Sequence, residues 1–135
     1  MKELSEVNLP EDVRYTKDHE WARKKGETFQ IGISDFAQDQ LGDIVFVELP
    51  AVGDKVAKDE PVGVIESVKA VSDIYAPVSG AVVEINDDLP DNPEMINDDP
   101  YGDGWIVKIE FDDPTDLDDL LDAVNYEEYL ADQQE

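Results

Sequence analysis

The chain has 135 residues, of which 41% are hydrophobic, so it fits a single domain with one modest core. It contains no cysteine, which excludes disulfides, thiolate chemistry and cysteine-ligated metal sites. Its 35 acidic and 10 basic residues give a net charge of −25, which repels phosphate backbones and argues against nucleic acid as a partner.

The acidic residues are spread along the chain instead of forming a tail, as in Asp87-Asp88, Asp98-Asp99, Asp112-Asp113 and Asp118-Asp119. Because charge repulsion of this size destabilises a compact state unless salt screens it, we expect adaptation to a high-salt cytoplasm. The first residues contain no apolar signal core, and no stretch approaches the roughly 20 apolar residues of a membrane span. We therefore expect a soluble cytoplasmic protein that does not associate with membranes.

Residues 1–12 are predicted to be a polar lead-in. Short strands are predicted at residues 13–16 and 18–23, and a third at residues 28–33, where Phe29, Ile31 and Ile33 alternate with other residues. Ser34 is a suitable N-cap and Gly42 a suitable stop, so a short helix is predicted at residues 34–41. The nearly continuous apolar run at residues 44–49 predicts a strand covered on both faces.

Two β-branched runs, at residues 62–65 and 74–76, are separated by Glu66-Ser67-Val68-Lys69-Ala70-Val71-Ser72-Asp73. Each run is typical of a strand, and the short connection predicts a hairpin. A hairpin tip is exposed and is held by the sheet beneath it, so Lys69 should be presented to solvent.

Another strand is predicted at residues 81–85, followed by a long loop without periodicity at residues 86–104. Strict alternation then predicts a strand at residues 105–111, with Trp105, Val107, Ile109 and Phe111 facing the core. Thr115 can cap a helix whose apolar residues recur at helical spacing, so residues 115–132 are predicted to form a peripheral helical segment. The apolar positions of that helix are Leu117, Leu120, Leu121 and Val124. Asn125 can restart a final turn with Tyr126, Tyr129 and Leu130 on one side, so the segment is one helix or two.

Short strands separated by turns, with helices at the periphery, predict a mainly β domain of sandwich or barrel type spanning residues 1–135. Glycine turns at Gly53 and Gly80 lie on either side of Lys69 in the sequence, and each precedes a strand-like run. This similarity is a weak internal repeat.

The lysine and its flanking turns resemble biotinyl and lipoyl carrier domains, which present a modified lysine on a hairpin of a flattened barrel-sandwich hybrid. The resemblance rests on Val52-Gly53-Asp54, Pro61-Val62-Gly63, Ile65-Glu66-Ser67-Val68-Lys69-Ala70 and Ala76-Pro77-Val78-Ser79-Gly80. Biotin carriers typically place methionine on both sides of the lysine. Val68 and Ala70 stand there instead, which favours lipoate.

Further stretches narrow the resemblance to the glycine cleavage system H protein family, over nearly the whole chain from about Val13. They are residues 15–21 with His19-Glu20-Trp21, residues 31–43, and residues 97–105 with Asp103-Gly104-Trp105. In that family, lipoate is joined through an amide to the lysine that aligns with Lys69, beside Glu66, Ser67, Val68 and Ala70.

The resemblance implies a non-catalytic carrier that receives an aminomethyl group from a PLP-dependent glycine decarboxylase. A folate-dependent aminomethyltransferase then unloads the carrier, and dihydrolipoyl dehydrogenase reoxidises it. A lipoate ligase or a lipoyl/octanoyl transferase is implied as the enzyme that modifies Lys69. In such systems the cofactor supplies the reactive chemistry and the protein supplies attachment and orientation.

The loaded arm ends in a cationic amine, which carboxylates can hold by charge-assisted hydrogen bonds. The resemblance assigns this role to Glu20 and Asp73. Asp18 aligns with a position that is often serine, so it either adds to this cradle or is one more surface acid. Phe36 stands where histidine is common, so no role of that histidine is carried over.

No phosphate loop, nucleophile elbow or paired-acid arrangement is evident. His19 is the only histidine, which excludes a multi-histidine metal site and favours a half-exposed packing or hydrogen-bonding role. Three alternatives remain: a lipoyl domain of a 2-oxoacid dehydrogenase complex, a lipoyl or octanoyl relay carrier in lipoate assembly, and an acidic interaction module without a cofactor.

Overall fold

In the computed structural model, which describes residues 6–133, nine strands form two antiparallel sheets. The larger sheet has the order β1-β2-β3-β9-β8-β5 and the smaller has the order β4-β6-β7. The strands are β1 (Arg14–Tyr15), β2 (Glu20–Lys25), β3 (Thr28–Ile33), β4 (Ile44–Glu48), β5 (Lys55–Val56), β6 (Pro61–Ser67), β7 (Val71–Tyr75), β8 (Gly80–Ile85) and β9 (Val107–Phe111). The helices are α1 (Asp35–Leu41), α2 (Met95–Asp98) and α3 (Ala123–Gln133), with a 3₁₀ helix at Pro114–Asp119.

The main core lies between the two sheets, because the inward residues of each sheet pack against those of the other. The larger sheet contributes Phe29, Ile31 and Ile109, and the smaller sheet contributes Ile65 and Ile74. Each of these side chains is buried. The mainly β domain of sandwich or barrel type that the sequence predicts is confirmed, and its two sheets make it a sandwich.

A second cluster of large side chains packs α3 against the strands of the larger sheet. Tyr15 stacks on Tyr126 of α3 with ring centroids 4.4 Å apart. Trp21 lies against Gly32, where a Cβ atom would come within 2.8 Å of the indole ring, so only glycine allows this approach. The cluster contains Val13, Tyr15, Trp21, Phe36, Tyr101, Tyr126 and Leu130.

The short helix α1 has the predicted caps. The Ser34 hydroxyl accepts a hydrogen bond from the Ala37 N–H at 3.1 Å. Gly42 ends the helix at φ 78°, a left-handed conformation that favours glycine, and its N–H donates to the Gln38 carbonyl at 3.0 Å. The two glycine turns of the weak internal repeat are adjacent in the structure. Strand β5 pairs with β8, and the Gly53 N–H donates to the Val82 carbonyl at 2.7 Å.

Strand β4 is not covered on both faces, so that prediction is wrong. A register shift between Ile44 and Phe46 marks a bulge, and Val45 and Phe46 are 54% and 48% exposed. Val47 points inward and is 3% exposed. An apolar run alone does not tell a strand buried on both faces from one that leaves an apolar face in solvent.

The segment predicted as a long loop is partly helical and anchored in the core. It contains α2, and Leu89 and Ile96 are both fully buried. The next strand is shorter than predicted and begins at Val107, with Trp105 and Phe111 only half-buried at its ends. Leu89 and Ile96 belong to the main core.

The predicted C-terminal helical segment consists of two separate helices. Thr115 lies within the 3₁₀ helix, and α3 begins only at Ala123, where the Asp122 carboxylate accepts from the Asn125 N–H at 2.8 Å. Val124 is 63% exposed, so its predicted place on the apolar face is wrong. Tyr126 and Leu130 are buried as predicted, whereas the side chain of Leu117 lies outside the described part of the structure.

The end of the lead-in contacts the domain directly. The Asn8 N–H donates to the Asp35 carboxylate at 2.7 Å, and the Asn8 carbonyl accepts from the Tyr101 hydroxyl at 2.7 Å. Residues 1–5 of the predicted lead-in lie outside the described residues. The helices described in residues 6–133 include none long and apolar enough to cross a membrane.

Candidate functional site

Lys69 lies at the exposed tip of the β6–β7 hairpin, as predicted. Ser67 closes the turn: its N–H donates to the Ala70 carbonyl at 2.8 Å, and its hydroxyl accepts from the N–H groups of Lys69 and Ala70, each at 3.1 Å. A serine hydroxyl that binds the backbone two and three residues ahead is a known way to stabilise a tight turn. Ser67 therefore fixes the backbone that presents Lys69.

The tip is also fastened to the C-terminal end of α1. The Val68 N–H donates to the Asp43 carbonyl at 3.1 Å. A Cβ atom at Gly42 would lie 3.5 Å from the Cε atom of Lys69, so the lysine stem runs past this glycine. The stem is thus supported on one side while the tip remains open to solvent.

Asn97 holds the end of α1 in place, a role that the sequence did not predict. Its amide donates to the Gln38 side-chain oxygen at 3.0 Å and to the Gly42 carbonyl at 2.9 Å. Its side-chain oxygen accepts from the Ile44 N–H at 2.8 Å. Because these partners are more than 50 residues away in sequence, no local pattern could have identified this contact.

Glu20 is buried at the start of β2, with only 2% of its surface exposed. Its carboxylate accepts from the Thr16 hydroxyl at 2.7 Å and from the Tyr75 N–H of β7 at 3.3 Å. Desolvation raises the pKa of Glu20 to about 7, with smaller contributions from repulsion by Asp18 and Asp59, while the two hydrogen bonds act in the opposite direction. This acid therefore changes charge near neutral pH.

The other two predicted cradle acids occupy different surroundings. Asp18 is exposed, and its N–H donates to the Thr16 hydroxyl that also binds Glu20. Asp73 is exposed on β7, opposite Val64 of β6 and two residues from Tyr75, which is about 7 Å along a strand. The structure thus brings Asp18 beside Glu20 and places Asp73 farther along β7, between Glu20 and the lysine tip.

A groove of about 320 Å³ opens next to Glu20. Its lining includes Thr16 and Asp18 together with Lys58 and Asp59 from the loop before β6. The four steps along β7 from Val71 to Tyr75, whose N–H contacts Glu20, span about 13 Å.

His19 is a packing residue, as the sequence favoured. Its ring lies 4.9 Å from that of Phe36, and its Nδ1 atom is 2.8 Å from the Tyr126 hydroxyl oxygen. Desolvation lowers the pKa of His19, and the nearby Asp18 opposes that shift. The ring therefore joins β2, α1 and α3, and Phe36 fills its own position as a buried contact.

Metal-binding geometry is absent from the part of the chain described here, where no three histidine, aspartate or glutamate residues form a suitable group. The Glu20 carboxylate is instead held by hydrogen bonds from the Thr16 hydroxyl and the Tyr75 N–H.

Comparison with known proteins gives a consistent result across nearly the whole chain. The family model described as "Glycine cleavage H-protein" matches residues 13–133. The glycine cleavage system H protein of Anaeromyxobacter sp. (strain K) is 56% identical over 128 residues, covering 95% of this chain and 100% of the relative. That of Idiomarina loihiensis is 60% identical over 121 residues, covering 89% of this chain and 94% of the relative.

Among solved structures, the fold is also similar to that of a glycine cleavage system H protein. The crystal structure of a glycine cleavage system H protein from Mycobacterium marinum superposes with a TM-score of 0.81 at 41% sequence identity, covering 94% of this chain and 100% of that one. Sequence and fold agree over the sandwich, the lysine hairpin and α3. The chain belongs to the glycine cleavage H-protein family.

Proposed function

We propose that this chain is the lipoyl carrier of a glycine cleavage system. It receives the aminomethyl group of glycine from the PLP-dependent glycine decarboxylase and delivers it to the folate-dependent aminomethyltransferase. Dihydrolipoyl dehydrogenase then restores the oxidised carrier. The observation that carries this proposal is the family match over residues 13–133, which includes the hairpin with Lys69 at its tip.

The attachment point is Lys69, whose surroundings fit a lipoyl amide. The side chain is exposed, the Ser67 turn fixes its backbone, and Gly42 leaves room beside its stem. Amide formation removes the lysine charge, so the modified side chain can pack against protein without losing the hydration of an ion. When bound, lipoate supplies the dithiol sulfur that holds the aminomethyl group.

Glu20, Asp73 and Asp18 form the proposed cradle for the cationic amine. Asp73 and Asp18 are exposed and can attract the cation, whereas Glu20 is held beneath β7 by the Tyr75 N–H. A cation beside Glu20 favours the ionised carboxylate, which in turn strengthens the hydrogen bond to the amine. Only 2% of the surface of Glu20 is exposed to water.

The chain acts as a non-catalytic subunit, and its partners are the three enzymes named above together with a lipoate ligase or a lipoyl/octanoyl transferase. We place it in the cytoplasm. Residues 1–135 are proposed to be one carrier domain, with a lead-in at residues 1–12 and a peripheral helical segment at residues 115–132.

A lipoyl domain of a 2-oxoacid dehydrogenase complex is not favoured. The family match extends beyond the hairpin to β1, β2 and α3, which hold Glu20 and the His19–Tyr126 contact. A relay role in lipoate assembly is likewise not favoured, because the relatives reported above carry the glycine cleavage name.

Co-expression with a lipoate ligase, followed by intact-mass measurement, tests the attachment point. We expect the parent protein to gain the mass of one lipoyl group. A Lys69→Arg variant should gain none, whereas Lys55→Arg, a control at another exposed lysine, should be modified like the parent. An unmodified parent, under conditions that lipoylate a known carrier, would contradict the proposal.

A further inference from the structure

Four exposed apolar side chains gather at the Lys69 end of the smaller sheet. Val45, Phe46, Val68 and Val71 are 54%, 48%, 67% and 65% exposed. The other large apolar side chains exposed within residues 6–133 lie elsewhere, at Val52, Val83 and Val124. A concentration of this kind on a chain with a charge of −25 marks an interaction surface.

Strand register places these side chains on one face. Phe46 pairs with Glu66, and Glu66 pairs with Val71, so the three side chains form one row across β4, β6 and β7. The next row, Val47 with Ile65 and Ser72, points the opposite way, into the core. Val45 at the bulge and Val68 at the turn are also exposed, and Val68 precedes Lys69 directly. Phe46, Val71, Val45 and Val68 are called the tip face below.

The tip face has an acidic rim. The next outward row contains Glu48 and Asp73 on either side of Val64, and Glu66 lies between Phe46 and Val71. A partner that covers this face therefore needs apolar side chains against Phe46 and Val71, and lysine or arginine against Glu66 and the row of Glu48 and Asp73. A second copy of this chain fits poorly, because it would bring the same acidic rim against itself.

Recognition of the unmodified protein differs from recognition of the loaded carrier. An enzyme that uses the loaded arm can bind the arm itself, but an enzyme that attaches the arm meets only the side chain of a lysine. It must distinguish Lys69 from the other lysines by the surface around it, and the tip face adjoins Lys69.

We propose that the tip face is the docking surface for the enzyme that attaches the lipoyl group to Lys69, through an apolar patch rimmed by basic side chains. This inference rests on the proposed carrier function. The enzyme covers β4, β6 and β7 from outside and reaches the Nζ atom of Lys69 over the hairpin tip.

Steady-state lipoylation by a lipoate ligase tests the docking surface on the full chain. The test variant is Phe46→Ser combined with Val71→Thr, and the matched control is Val124→Thr, an exposed valine on α3. We expect the double variant to raise the KM for the carrier by about tenfold with kcat nearly unchanged, as for loss of central interface contacts. The control should match the parent, and thermal unfolding should show that all variants are folded.

The outcomes separate the two proposals. A double variant with the KM of Val124→Thr, beside a parent that is modified at Lys69, would overturn the docking surface and leave the carrier function standing. A parent that is never modified at Lys69 would overturn both. Sedimentation is compared for the parent and Phe46→Ser. If only the parent forms dimers, and the KM of Phe46→Ser equals that of the parent, the face binds a second copy and the proposal is overturned.

Discussion

The carboxylate of Glu20 accepts a hydrogen bond from the backbone N–H of Tyr75, at 3.3 Å. The two residues are 55 positions apart and belong to different sheets. This contact joins β2 of the larger sheet to β7, the strand that follows Lys69 in the hairpin. The buried acid and the lysine hairpin are therefore parts of one rigid arrangement.

Replacing Glu20 with glutamine should speed the loss of the aminomethyl group from the loaded carrier. Glutamine keeps the size, and its single side-chain oxygen can still accept from the Tyr75 N–H while its NH2 group faces the Thr16 hydroxyl oxygen. It removes the charge that holds the amine. A charged hydrogen bond contributes about 1.5–3 kcal/mol, so release should be at least about tenfold faster.

This effect is measured as ammonia released from loaded carrier after the decarboxylase has been removed. Glu128→Gln, an exposed acid on α3, is the control and should behave like the parent. Equal release rates in Glu20→Gln and the parent would remove Glu20 from the cradle.

Glu20 should also make stability depend on pH. Its pKa is raised from the ordinary 4.5 to about 7, so the folded state keeps a proton that the unfolded chain releases between these values. The stabilisation is complete below about pH 4.5 and is lost as the pH rises through about 7, which amounts to roughly 3 kcal/mol.

Urea unfolding of the parent and of Glu20→Gln at several pH values between about 4.5 and 8 measures this term. The free energy of unfolding of the parent should fall by roughly 3 kcal/mol more than that of the variant, since the other acids titrate in both. Parallel pH profiles would show that Glu20 keeps an ordinary pKa.

Asn97→Ala should destabilise the protein and loosen the support of the hairpin tip. The substitution leaves the Ile44 N–H and the Gly42 carbonyl without their partner, which costs about 2–3 kcal/mol. Urea unfolding measures the loss, and Asn125→Ala, at an exposed position of α3, should change stability by no more than about 0.5 kcal/mol. Similar stability of the two variants would mean that Asn97 does not support the end of α1.

The net charge of −25 predicts that salt stabilises the protein. Raising KCl from about 0.1 M to about 1 M shortens the Debye length from about 10 Å to about 3 Å and screens repulsion between the surface acids. The Tm should rise over this range by more than in an uncharged osmolyte of equal osmolality. A Tm that does not respond to KCl would contradict adaptation to a high-salt cytoplasm.

Sequence reasoning predicted the elements whose signals are local. Ser34 and Gly42 define α1 because capping depends on the few residues next to each cap, and the hairpin follows from two β-branched runs with a short connection. The restart predicted at Asn125 lies two residues beyond the start of α3 at Ala123, where the Asp122 carboxylate accepts from the Asn125 N–H.

The parts that depend on distant contacts could not be predicted in this way. Helix α2 has four residues and is held by the burial of Ile96, which no periodicity reveals. The exposed face of β4 looks like a buried strand in sequence. Asn97 acts through partners far along the chain. Glu20 is distinguished from the other acids in the sequence only by the family resemblance, because its burial and its contact with Tyr75 depend on distant residues.

The carrier role of Lys69 is tested most directly by glycine–bicarbonate exchange, reconstituted with a glycine decarboxylase and the lipoylated protein. We expect exchange with the lipoylated parent and only background exchange with Lys69→Arg prepared in the same way. Exchange by the Lys69→Arg variant at the rate of the parent would contradict the account.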